Sequence, residues 1–66
     1  RNHVQEIVSA VRFAGFMTSK GLWARVMNSM SMKDFEEAVR AAMHGGLLVP
    51  QTRGTQQGVV APDPMA

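Results

Sequence analysis

Few side chains here have the type and spacing that covalent chemistry demands. His3 and His44 stand far apart, with no cysteine and no paired carboxylates to complete a site. Neither a metal centre nor a general acid–base pair is therefore expected. Serine, histidine and aspartate occur, but not around a nucleophile turn. Gly45-Gly46 close a helical stretch instead of opening one, the wrong order for a phosphate loop. Catalysis is not expected, and no cofactor is implied. What remains is non-covalent contact. Lys20, Arg25, Ser31, Lys33 and Arg40 fall at helix-surface positions, and Thr52, Arg53, Thr55, Gln56 and Gln57 in a polar turn region. Lysine and arginine pair with phosphate or the guanine edge, glutamine can grip adenine through two hydrogen bonds, and hydroxyls bind phosphate. Arg53 beside Gly54 is placed to enter a minor groove, where the potential is negative.

The elements that would position these groups can be read from periodicity. Asn2, with Gln5 in capping-box position, starts a helix over 4–14, whose buried set Val4, Ile7, Val8, Val11 and Ala14 recurs at helical spacing. Gly15 suits its left-handed end. Phe16-Met17 reads as an apolar linker. Thr18 or Ser19 caps a second helix over 19–27, with Leu22, Trp23, Val26 and Met27 as its stripe. Gly21 inside it costs about 1 kcal/mol relative to alanine, and a close helix contact would explain its presence. After the turn 28–30, Ser31 and Asp34 fit a capping box for a third helix over 32–44. Phe35, Ala38, Val39, Ala42 and Met43 form its inner face, and His44 sits in its last turn, where a protonated imidazole complements the dipole. Beyond Gly45-Gly46 the short β-prone runs 47–49 and 58–60 flank a polar turn around Arg53-Gly54. Pro50 suits an edge strand.

Sixty-six residues make one domain at most, close to the lower limit for folding on hydrophobic burial alone. The 45% hydrophobic content is too high for a disordered tail, and without cysteine the core must hold the fold. Six methionines suggest an adaptable core, with Met27, Met30, Met32 and Met43 near the turn. No apolar run approaches the roughly 18 residues that span a bilayer, and the first residues lack the charged and apolar regions expected of a signal peptide. The start at Arg1 reads as a domain excised from a longer protein. The expected location is cytoplasmic, nucleoid-associated in a bacterium or nuclear in a eukaryote, with no membrane partner. A net charge of +2 permits nucleic acid without demanding it.

The segment Phe16-Met-Thr-Ser-Lys-Gly-Leu-Trp-Ala-Arg-Val26, followed by Ser31-Met-Lys-Asp-Phe-Glu-Glu-Ala-Val-Arg-Ala-Ala-Met-His-Gly-Gly-Leu-Leu48, resembles the core of winged-helix domains. In that superfamily a helix ending in glycine and two aliphatics passes directly into the first wing strand. The resemblance covers residues 1–60, leaving 61–66 as an extended or disordered tail. It implies a mainly α fold, a three-helix winged helix-turn-helix with a small β-hairpin. It also implies duplex DNA as partner, with the third helix in the major groove and the wing on the backbone or minor groove. The parent would be a regulatory, replication or plasmid-maintenance protein, acting in transcription regulation or DNA replication.

Not every residue fits a groove reader. Asp34, Glu36 and Glu37 place three carboxylates in the first half of the third helix, against Lys33 and Arg40. Asp34 serves the cap, and Glu36 with Arg40 forms a helix-supporting i,i+4 pair. The acidic helix, low net charge and methionines favour an alternative: a winged helix used for protein interaction or dimerisation, with a homodimer or other domains of the parent as partners. In it Met30 and Met32, with Phe13 or Phe16, form an exposed patch. Single-stranded nucleic-acid binding relies on exposed aromatic platforms. With Trp23 assigned to the core stripe, the sequence is expected to present none.

Overall fold

The computed structural model describes residues 2–62. Its first helix, α1 (His3–Ala14), begins where Asn2 leaves helical geometry and its Oδ1 accepts the Gln5 N–H at 3.2 Å. The helix ends at Gly15, whose φ of 87° is open to glycine without strain and whose N–H returns to the Val11 carbonyl. The chain then runs as a two-residue strand, β1 (Met17–Thr18), straight into α2 (Ser19–Val26). Of the two capping candidates Thr18 takes the role, its Oγ1 accepting the Gly21 N–H at 3.1 Å. Ser31 starts α3 (Met32–His44) in the same way, accepting the Asp34 N–H at 3.1 Å.

Residues 45–48 are the sharpest local feature. The Gly46 N–H bonds the Met43 carbonyl and the Leu47 N–H bonds that of Ala42, the paired bonds of a Schellman ending. Gly46, at φ 74°, supplies the left-handed residue that motif needs. The reversal turns Leu48 inward, to 1% exposure, and leaves Leu47 41% exposed. β2 (Val49–Arg53) and β3 (Gln56–Val60) follow.

The sheet order is β1-β3-β2, antiparallel throughout. Residues 16–17 are thus more than a linker: Met17 pairs with Val59 and Thr18 with Gly58. This third strand exists because Gly58 has no side chain. A Cβ there would collide with the Met17 carbonyl oxygen, and would lie 2.8 Å from both the Met17 carbonyl carbon and the Phe16 ring. Two residues show no alternation, so periodicity alone could not find this strand. Three helices with a three-stranded antiparallel sheet are compatible with a winged-helix layout, with more sheet than a mainly α reading anticipates.

The core gathers Ile7, Val8 and Val11 from α1, Leu22 and Val26 from α2, and Phe35, Ala38 and Ala42 from α3. Met30, Leu48 and Val59 complete it. Each fully buried aliphatic contributes about 1.5–3 kcal/mol. Among the described residues no polar or charged side chain is buried, so burial of apolar surface carries the stability. Trp23 is half-buried and meets Phe35 at 5.2 Å between centroids, tilted by 55°. This favours its core assignment.

Several inner-face expectations fail at stripe edges. Ala14 is exposed, Met27 is 49% exposed and Met43 37%, because each flanks the arc that faces another element. Met32 is exposed too, and of the methionines near the turn Met30 alone is buried. Gly21 meets no other helix; its nearest contact would be Thr18 Oγ1 at 3.2 Å. At the C-terminal end, Ala61 packs partly against the core and Pro62 is exposed, whereas residues 63–66 of the expected tail lie outside the described residues.

Candidate nucleic-acid interface

The hairpin is more regular than its polar sequence suggests. β2 and β3 stay paired from Val49↔Val60 out to Arg53↔Gln56, leaving only Gly54-Thr55 as the loop. Gly54 has φ 61° and Thr55 does not share that sign, the pattern of a two-residue turn with glycine first. Gln51, Thr52, Arg53, Thr55, Gln56 and Gln57 are all exposed. Pro50 sits in the edge strand, where its missing donor disturbs no inner ladder.

Arg53 occupies a defined position. It is the last residue of β2 and not the tip itself. Its Nε–H donates to Gln51 Oε1 at 2.7 Å, and its guanidinium lies 4.7 Å from the centroid of the Phe16 ring. Gln51 and Arg53 are two residues apart in a strand, so their side chains share a face. The result is a pre-arranged, exposed cation; its expected reach into a groove would start from this folded-back position.

On the helices, Lys20 is exposed in the first turn of α2 and Arg25 in its last. The Arg25 guanidinium lies 5.8 Å from the Phe13 ring centroid. Ser31 is exposed, with its Oγ engaged as the α3 cap. Lys33 and Arg40 are exposed along α3, together with Glu36 and Glu37, while Asp34 is half-buried. Arg40 borders a shallow groove with Ser19, Phe35, Val39 and Met43. Among the described residues no side-chain hydrogen bond or ring contact links the α3 set to the wing set.

Charge divides between these regions. α3 holds Asp34, Glu36 and Glu37 against Lys33 and Arg40, whereas the described residues outside it hold Arg12, Lys20, Arg25 and Arg53 against Glu6. The surface best suited to phosphate is thus the wing with the ends of α1 and α2, more than the helix the resemblance assigns to the groove.

Two residues outside the expected DNA-contact set matter here, Phe13 and Phe16; the sequence places them only in a protein-contact patch with Met30 and Met32, of which Met30 is buried. Phe13 is 83% exposed, which overturns the expectation that no aromatic platform is presented. The signal was legible: Phe13 lies off the stripe 4, 7, 8, 11, on the same helix face as Glu6 and Ser9. Phe16 is half-buried against the hairpin, and its role as a seat for Arg53 depends on β1. Among the described residues no group of three or more His, Asp or Glu is disposed to hold a metal, and no helix is long and apolar enough to cross a membrane. Comparison with known proteins found no matching family model, no similar curated protein and no similar solved structure.

Proposed function

We propose that this chain is a winged-helix module that binds duplex DNA without catalysing a reaction, as part of a larger regulatory, replication or plasmid-maintenance protein. The observation that carries the reading is the hairpin. Its outer residues 51–57 are exposed, polar and without a carboxylate, and they project from a three-helix core through a sheet anchored on β1. Thr52, Arg53, Thr55 and Gln57 grip the backbone, while Ser31, Lys33 and Arg40 make the groove contacts of α3. The clustering of Arg53, Gln51 and Phe16 supports the wing as the stronger contributor, because an ordered guanidinium loses less entropy on binding.

The test is a backbone-amide NMR titration with a short mixed-sequence duplex at low and moderate salt. Shifts concentrated at 31–40 and 51–57 that shrink with salt are expected. In the same assay Arg53→Ala weakens binding about equally across DNA sequences and reduces the salt slope by about 0.9, one phosphate's share. Unchanged affinity in that variant removes the wing from the reading.

A second reading, a protein-interaction or dimerisation module, is favoured by the exposed Met27, Met32, Met43, Leu47 and Val49. A stable dimer in solution without salt-sensitive DNA binding selects it.

A further inference from the structure

Phe13 is 83% exposed, so its ring buries little of its area and presents a face to solvent. Phe13 stands in the last turn of α1 with the Arg25 guanidinium 5.8 Å from its centroid, inside the range of a cation–π contact. Three residues on, across the left-handed break at Gly15, Phe16 carries the Arg53 guanidinium at 4.7 Å. The same device thus occurs twice within a short length of chain: an aromatic ring with an arginine laid against it. The Cα atoms of residues 13 and 16 lie within about 10 Å of each other, each ring carrying its own arginine.

Cations outnumber carboxylates around them. Arg12 adjoins Phe13 in the same helical turn, and the one carboxylate outside α3 among the described residues, Glu6, already has a partner within the protein. Arg25 and Arg53 each lie against a ring, and Glu6 lines the same pocket as Arg25 and Phe13. Stacking on a ring also holds a guanidinium plane in place for an anion. Aromatic faces interleaved with cations are what binding of unpaired nucleic acid requires: bases stack on the rings and phosphates follow the positive track. An intact duplex covers its base faces with their neighbours, so a ring reaches one only at the energetic cost of unstacking a step.

We propose that the Phe13–Arg25 pair forms a stacking site for single-stranded DNA, separate from α3 and from the wing. Phe13 stacks one base, and Arg12 and Arg25 take the adjoining phosphates. The proposal does not depend on duplex binding by α3 or the wing, and the two can fail independently.

The experiment is fluorescence anisotropy of labelled short oligothymidine, a backbone-matched abasic strand and a blunt duplex. The chain is compared with its Phe13→Ala and Phe13→Trp variants, each checked for unchanged thermal unfolding. Phe13 contributes little to the core, so neither variant should fail to fold. Phe13→Ala is expected to weaken oligothymidine binding roughly 5- to 150-fold, the range of one lost base stack, while Phe13→Trp retains it. The abasic strand is expected to bind the parent chain as weakly as oligothymidine binds Phe13→Ala, and duplex affinity is expected not to respond to either substitution. Equal oligothymidine affinity in the parent and Phe13→Ala overturns the proposal, as does an abasic strand that binds as well as the thymidine strand. Failure of duplex binding alone leaves it standing and removes the duplex reading of the wing and α3.

Discussion

Gly58→Ala is the substitution whose consequence the structure determines most sharply. In an ordinary strand this exchange helps, by roughly 0.4–1 kcal/mol, because alanine has less unfolded-state entropy to lose. Here the added methyl has nowhere to go. It would overlap the Met17 carbonyl oxygen, lie 2.8 Å from the Met17 carbonyl carbon and lie 2.8 Å from the Phe16 ring. Two of these three obstacles are backbone, which cannot rotate away as a flexible side chain can. Overpacking of a well-packed site costs about 1–3 kcal/mol, and backbone contact argues for the upper end. After the entropic gain a net loss of about 2 kcal/mol remains. For a domain of this size that corresponds to a fall in Tm of roughly 8–16 °C. The loss should also be local: Met17↔Val59 and Thr18↔Gly58 separate, while the ladder from Val49↔Val60 to Arg53↔Gln56 persists. Thermal unfolding followed by near-UV circular dichroism of Trp23 gives the magnitude, and amide exchange at 17–18 against 49–53 gives the location. A Tm equal to or above that of the parent chain would refute the argument that glycine at 58 permits the third strand. Because Phe16 moves with β1, the same substitution should also loosen Arg53 in the wing.

Ser31→Ala removes the hydroxyl that accepts the Asp34 N–H, and should cost about 1 kcal/mol in a urea titration, with Ser31→Asp restoring most of it. Leu48→Ala and Leu47→Ala should part widely despite being neighbours. Leu48 is 1% exposed and its truncation costs about 2–5 kcal/mol, whereas Leu47, at 41%, should lose under about 1 kcal/mol. Equal losses at 47 and 48 would contradict the inward turn made by the Schellman ending.

The sequence by itself determined the helices and their ends. Helix spacing is a local, repeating signal, and the caps at Asn2 and Ser31 and the stops at Gly15 and Gly45-Gly46 act through backbone groups within four residues. It also marked the polar hairpin, since Arg53-Gly54 and the flanking valines are near neighbours in the chain. Only the tertiary structure decided the third strand, because Met17 meets Val59 across most of the chain and the pairing depends on what Gly58 lacks. The edges of each buried stripe belong to the same class. Met27 and Met43 have the right period, yet whether they are covered depends on where the neighbouring element ends. The candidate site divides in the same way. Residue type identified Arg25 and Arg53 as available cations, but their seats on Phe13 and Phe16 arise from elements brought together by folding. Periodicity records which residues a helix turns to one side; packing decides what stands on the other.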